Sequence, residues 1–444
     1  MGDTPNEKMS RVRNLIRFPA TGKDRRIRLE ESRDPRIRFV TKLRFVCGWL
    51  LAVGAFCFVL THYGLFAPSA IQRTVQYALA GARQHEGDIT NIEFENNIFS
   101  DGALFESGLA YADSDALYLS RPGSMTTFQV TIGYSNPVVE SCQTNVLVYD
   151  RGGKNAVLTD ASSVKAEVAL NSAILTGSIG RTGDFLLITD EQGYRTAAAV
   201  YSTKGEELFK FSSSELYIVS GGLSPDGRTV AVLGFEQRDA SLISHVRFYD
   251  VSSGKQISDT ELENALGIEL CYLDNGSAAV LCDDGLYLVT RRGSSEHALT
   301  VGTSDLISVA TRDNALTVGT SDLISVATRD NAMVLAIRSY SGGARSDLYT
   351  VRGGSVYGPE PLDEEPSALA VSAAGEAVLT STGVTVYDTQ FHALWHNDEA
   401  IGARRILLTD DGTVFVLYNS NARIFTARSA QSREVTADAA AANS

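Results

Sequence analysis

ELYIVSGGLSPDGRTVAVLGFEQRDASLISHVRFYDVSSGK, residues 215–255, holds three runs rich in β-branched and aromatic residues, LYIVSGGL, TVAVLGF and HVRFYD. SPDG separates the first two, and the third runs into SSGK. Asp and Ser side chains bond nearby backbone N–H groups and Gly accepts positive φ, so SPDG predicts a tight reversal between two strands. No long amphipathic helical period intervenes here or elsewhere between about Asn91 and Arg428, which argues against parallel βαβ units and for an all-β chain.

The same cadence recurs. Turns centre on Gly183 (TGD), Gly227 (SPDG), Gly276 (LDNG), Asn331 (RDN), Gly375 (SAAG) and Gly412 (TDDG), at intervals of 44, 49, 55, 44 and 37 residues. A second kind of turn follows strands ending in Tyr or Val: VYDRGGK (148–154), VYSTKGE (200–206), FYDVSSGK (248–255), VTRRGS (289–294) and VYDTQF (386–391). Short strands such as NVLVYD, FLLITD, GLYLVT, MVLAIRS and TVFVLYNS lie between them. A period of about 42 residues with four short strands in each predicts a β-propeller. A single blade leaves both faces of its sheet uncovered, whereas a closed ring of blades covers them and hides most edges.

The longest interval has its own cause. ALTVGTSDLISVATRDN occurs at 298–314 and again, letter for letter, at 315–331. Seventeen residues do not make a blade, and without one copy the interval of 55 falls among the others. One copy should therefore fill a place in a blade and the other should be surplus, carried as a loop or extra hairpin at modest entropic cost. Residues 91–428, less that surplus, hold between seven and eight periods, so eight blades are favoured over seven. NNIFSDGALFESGLAYADSDALYLSRPG makes an irregular early blade. NIEFE, Asn91–Glu95, is placed to complete the last blade as a clasp.

The run from Tyr201 to Lys255, with its strand, SPDG, strand, FYD and GK, resembles the WD-repeat-like and quinoprotein-like propellers. It lacks the Gly-His and Trp-Asp pairs of WD repeats, since the tryptophans are Trp49 and Trp395. Over about residues 38–430 the layout resembles a family of single-pass membrane-anchored propeller proteins of Gram-positive bacteria. That family has no established activity, so the resemblance implies a fold and a location and no catalytic positions.

The location is also written in the charges. Residues 1–44 hold 13 Lys and Arg against 6 Asp and Glu, a surplus of +7, so the remaining residues carry −21 of the total −14. Between them lies FVCGWLLAVGAFCFVLTHYGLF, Phe45–Phe66, 22 residues without Asp, Glu, Lys or Arg. About 20 apolar residues span a bilayer, and the basic flank stays on the cytoplasmic side. The expected order is a basic cytoplasmic leader (1–44), one transmembrane helix acting as a signal anchor (45–66), a stalk (67–90), an extracytoplasmic propeller (91–428) and a disordered Ala-rich tail (429–444). The leader's charges set topology and meet lipid headgroups. No helix-turn-helix or zinc-finger spacing accompanies them, so nucleic acid is not an expected partner.

Motifs for chemistry are sparse. HExxH, Walker A, GxGxxG, GxSxG and an EF-hand loop are all absent from the sequence. His392 and His396 are four apart, but a metal site needs a third ligand, so a polar loop is the expected setting and no metal is assigned. Asp283–Asp284, Glu364–Glu365 and Asp410–Asp411 are sequence neighbours, which point to opposite faces of a strand and suit turns better than an acid/base dyad. With one tryptophan beyond the membrane segment, no quinone or other cofactor is expected. Cys142, Cys271 and Cys282 lie outside that segment; Cys271 and Cys282 flank a turn, and buried free thiols are the expectation there in preference to a disulfide.

The expected function is a membrane-tethered, extracytoplasmic, non-catalytic module that binds a protein or an envelope ligand. The alternative is an exported glycan-active hydrolase or lyase with carboxylates at the propeller channel. Buried carboxylates with perturbed pKa at the channel mouth would favour the enzyme, and an exposed apolar patch would favour binding.

Overall fold

The computed structural model describes residues 90–95, 99–106, 108–120, 128–238, 241–300, 323–329, 331–339 and 345–427, together with Trp49. Their strands form eight four-stranded antiparallel sheets, each built from four strands in spatial order, and these are the blades of a propeller. Blades 1 to 7 comprise residues 101–131, 137–169, 173–213, 217–263, 267–300, 323–362 and 368–397. Blade 8 takes three strands from 405–425 and its outermost strand, Thr90–Glu93, from the start of the described chain. The first strand of each blade is innermost and, except between blades 5 and 6, packs beside the first strand of the next.

The core is a ring. Each pair of adjacent blades encloses one cluster of buried apolar side chains, and there are eight such clusters among the described residues. Blade 3 shows how sequence serves this. Phe185 and Leu187 face blade 2, while Leu186 and Ile188, one residue along, face blade 4. Both faces of the sheet are buried, so the second strands are continuous apolar runs and not alternating ones. Each fully buried Leu, Ile or Phe contributes about 1.5–3 kcal/mol of transfer free energy.

All six turns of the first kind join the innermost strand of a blade to its second. In SPDG the Ser224 hydroxyl bonds Asp226 at 2.7 Å, the Gly227 N–H bonds the Ser224 carbonyl at 2.9 Å, and Gly227 has φ +69°. Four turns of the second kind join third strands to fourth. VYDRGGK does not: it joins the second and third strands of blade 2, Asn145–Asp150 and Asn155–Thr159. The preceding reversal in that blade is only Gln143–Thr144, with Gln143 itself at φ +53°, so no Gly-marked turn announced the true phase.

The clasp forms as expected. Thr90–Glu93 pairs antiparallel with Asn421–Phe425, placing Ile92 opposite Ala422. At the inner edge of the same blade Arg405 forms an ion pair with Asp101 of blade 1, and Asp101 Oδ2 accepts the Val139 N–H of blade 2 at 2.9 Å. One carboxylate thus ties three blades across the point of closure.

The second 17-residue copy supplies the innermost strand of blade 6, Leu323–Arg329, and the first copy ends the outermost strand of blade 5, Ser295–Thr300. The remainder of the first copy lies outside the described residues, as do the basic leader, the apolar segment 45–66 apart from Trp49, nearly all of the stalk, and the tail. Among the described residues no helix is long and apolar enough to cross a membrane.

Candidate functional site

The innermost strands of blades 3 to 6 share a defect. Their pairing with the second strand skips one residue, at Leu175, Val219, Ile268 and Ile324. Each bulge is followed by a polar residue, namely Thr176, Ser220, Glu269 and Ser325. A bulge re-aims the side chains around it, and these four each follow the bulge on the innermost strands of four consecutive blades.

The polar groups join blade to blade. Thr176 bonds the buried Tyr149 hydroxyl of blade 2, which the Arg151 side chain also reaches. The Ser178 hydroxyl donates to the Gly221 carbonyl at 3.0 Å, and the buried Ser220 Oγ accepts the Leu270 N–H at 3.1 Å. Glu269 retains partial contact with solvent yet is surrounded by protein, the setting of a carboxyl on a narrow inner wall. Burial raises its pKa to about 7, against the opposing pull of a bond from Ser220 and the charge of Arg151. Arg151 belongs to blade 2 and Glu269 to blade 5, so their attraction runs across the arc. Among the described residues, the charge acting on Glu269 is this arginine and not a second carboxylate.

An apolar flank adjoins the arc. In an antiparallel blade, the start of the innermost strand and the turn between second and third strands lie at the same end. Tyr217, first residue of its innermost strand, is 42% exposed and stacks on Phe235 at 5.5 Å between ring centroids. The Arg195 guanidinium lies 4.4 Å from the centre of the Tyr217 ring. Leu175, Tyr194 and Leu242 are also exposed at this end of blades 3 and 4.

Leu242 stands near the tip of a hairpin whose strands, Thr229–Arg238 and Ser241–Asp250, are ten residues each, the longest among those described. Ion pairs brace it. Arg238 bonds Glu236 at 2.7 Å and Glu261 at 3.1 Å, and Arg247 bonds Asp259 at 2.7 Å. The buried His245 ring sits between Asp259 at 3.0 Å and Glu236 at 3.6 Å. Burial pushes the Asp259 carboxyl up, but the bonds from His245 and Arg247 prevail and hold it below the ordinary range.

A shallow cleft of about 480 Å³ lies on the closing blade, lined by Asn91, Tyr418, Asn421 and Arg423. Asn421 bonds Asn91 there at 2.7 Å, so two of its lining groups already serve the clasp.

The residues weighed from sequence take structural places. His392 pairs with Asp388 at 3.1 Å, whereas His396 bonds Thr385 at 2.9 Å, and a bulge at Leu394 separates them. Among the described residues no group of three His, Cys, Asp or Glu is suited to hold a metal. Asp283 accepts the Leu266 N–H and Asp284 the Tyr287 hydroxyl; Glu364 meets Ser381 and Glu365 meets Arg338; Asp410 and Asp411 serve turns. Cys142, Cys271 and Cys282 are buried thiols that form no disulfide with one another. The arc itself escaped sequence reasoning. Its signal is an aliphatic residue followed by Thr, Ser or Glu seven positions before a turn glycine, true of Thr176, Ser220 and Glu269 against Gly183, Gly227 and Gly276.

The chain was compared with known families and solved structures. A family model described as a family of unknown function (DUF5711) matches residues 89–339, more than half of the chain. No curated protein matches the sequence. The crystal structure of Saccharomyces cerevisiae Sqt1 is similar at TM-score 0.52 and 12% identity, covering 77% of this chain and 99% of that one. The Cps50 (Swd1) β-propeller domain of Myceliophteria thermophila has TM-score 0.44 and 7% identity, over 76% and 99% of the two chains. The quinohemoprotein alcohol dehydrogenase ADHIIG of Pseudomonas putida HK5 has TM-score 0.47 and 8% identity, over 76% and 75%. At 12% identity the likeness to Sqt1 is one of fold alone.

Proposed function

The chain belongs to the family of unknown function DUF5711, and from that membership and its eight-bladed fold we propose a membrane-tethered, extracytoplasmic module of a Gram-positive envelope that binds a protein or envelope ligand without transforming it. The observation that carries the reading is the exposed flank of Tyr217, Tyr194, Leu175 and Leu242 beside Arg195. Aromatic and aliphatic groups left open beside a braced hairpin are the usual material of a recognition surface, and Tyr and Arg supply most of its binding energy. The basic leader and the uncharged stretch 45–66 support tethering with the N-terminus in the cytoplasm and the propeller outside. The −21 charge beyond residue 44 disfavours nucleic acid and other acidic polymers as partners.

The test is capture of the full-length chain from its native envelope after mild crosslinking, beside a Tyr217→Ala, Leu242→Ser variant. Both residues are exposed, so the variant stays within about 1 kcal/mol of wild-type stability. The expected result is one set of envelope proteins or polymers retained by the wild type and lost from the variant. Equal capture by both chains rejects the flank as the binding surface.

One observation favours the exported hydrolase or lyase instead: the Glu269 carboxyl, raised to about 7, is able to give and take a proton near neutrality. Release of soluble sugars from wall glycan by the wild type, abolished by Glu269→Gln and kept by the flank variant, would establish that alternative.

A further inference from the structure

The cleft on the closing blade is built by the clasp. Asn91 stands opposite Arg423 in the ladder between Thr90–Glu93 and Asn421–Phe425, and Ile92 stands opposite Ala422. Successive side chains of a strand point to opposite faces. Ile92, Ala422 and Ile424 enter the cluster between blades 8 and 1, so Asn91, Asn421 and Arg423 share the face turned to blade 7. Tyr418 packs on that side, against the cluster between blades 7 and 8, and its hydroxyl donates to the Glu399 carbonyl at 3.3 Å. These four residues line about 480 Å³, a volume suited to a small ligand.

The clasp leaves much of their bonding capacity unused. Asn421 Nδ2 donates to Asn91 Oδ1 at 2.7 Å, so the Asn91 amide nitrogen remains a donor and Asn421 Oδ1 an acceptor. Among the described residues the half-buried Arg423 guanidinium has no ion-pair partner. Glu93 is exposed on the same face and forms no ion pair with it. A guanidinium forks two parallel N–H groups onto a planar carboxylate. An adjoining donor and acceptor suit neighbouring hydroxyls, and the Tyr418 ring supplies an apolar wall. A peptide anchor needs a deeper apolar pocket than these groups form.

We propose that this cleft binds the acid-bearing residue of a saccharide, a uronic acid or a similar sugar carboxylate. Arg423 holds the carboxylate, Asn91 and Asn421 meet ring hydroxyls, and Tyr418 walls the ring. The −21 charge beyond residue 44 repels a polyanion, so the fitting ligand is one such residue in a mainly neutral chain. The turn from Tyr418 to Asn421 joins the second and third strands of blade 8. The cleft therefore opens at the end of the ring that carries the Tyr217 flank, on a blade across the ring from it, and does not depend on that flank.

The test titrates the full-length chain with glucuronate, glucose and acetate at one ionic strength, by ligand-observed NMR. Glucuronate should bind at least about tenfold tighter than glucose or acetate, because a charge-assisted fork adds to the hydroxyl contacts. Arg423→Gln should bring glucuronate down to the level of glucose, and Arg423→Lys should restore only part of the difference. Glu93→Gln should tighten glucuronate by removing a like charge from the same face. Asn91→Ala, at an exposed position, should weaken glucuronate and glucose alike, and it carries the comparison if Arg423→Gln shifts the denaturation midpoint. The Tyr217→Ala, Leu242→Ser variant should bind glucuronate as the wild type does, which separates this site from the flank. The proposal is overturned if glucuronate binds no tighter than glucose, if acetate matches glucuronate, or if the Arg423 and Asn91 variants bind glucuronate like the wild type.

Discussion

Glu269 occupies the place that Thr176, Ser220 and Ser325 hold in neighbouring blades, and it is the only one of the four that titrates. Its pKa moves from the ordinary 4.5 to about 7 because burial disfavours the charge more than Ser220 and Arg151 favour it. The unfolded chain then loses this proton first, and stability falls as pH rises from about 4.5 to about 7. Below that window both states are protonated and the effect vanishes. Glu269→Gln should accordingly gain on the wild type by up to about 3 kcal/mol between pH 4.5 and 8, in urea titrations at the two values. An unchanged difference would mean a carboxyl that titrates as in water. The identity of the residue was readable; its surroundings were not, because its burial comes from packed blades and the groups that oppose the shift, Ser220 and Arg151, are 49 and 118 positions away in sequence.

At the scale of elements, blades are held to one another by a few polar ties as well as by apolar clusters. The buried Glu376 on the second strand of blade 7 accepts Arg352 Nη2 of blade 6 at 2.7 Å, and the same nitrogen bonds the Gly375 carbonyl at 3.0 Å. Burial raises the Glu376 carboxyl, so its charge depends on that guanidinium. Arg352→Met should cost about 3–5 kcal/mol by leaving a buried acid without its partner, and Arg352→Met with Glu376→Gln should recover much of it. Equal losses in the single and double variants, by chemical denaturation, would contradict this. The strands themselves were largely legible, since continuous apolar runs bounded by Asp, Asn and Gly mark sheets buried on both sides. The bulges in blades 3 to 6 were less so, because a skipped residue changes pairing without changing composition.

For the whole molecule, closure is the feature on which the rest depends. Ile92 is buried in the cluster between blades 8 and 1 with Phe415, Leu417 and Tyr111. Ile92→Asp should lower stability by about 3–5 kcal/mol, through lost burial and a charge placed in an apolar cluster. Ile257→Asp, at an exposed position on an outermost strand, should stay within about 0.5 kcal/mol. Comparable shifts of the denaturation midpoint in the two variants would show that the clasp does not bear on the ring's stability.

The sequence by itself determined the all-β class, the period, the preference for eight blades and the clasp. These follow from local turn chemistry and from counting strands, which neighbours along the chain record. Only the tertiary structure decided the phase of blade 2, the copy that serves blade 6 and the polar arc from Tyr149 to Glu269. Each of these depends on groups brought together by ring closure from distant parts of the chain, and two identical segments carry no local information to choose between them.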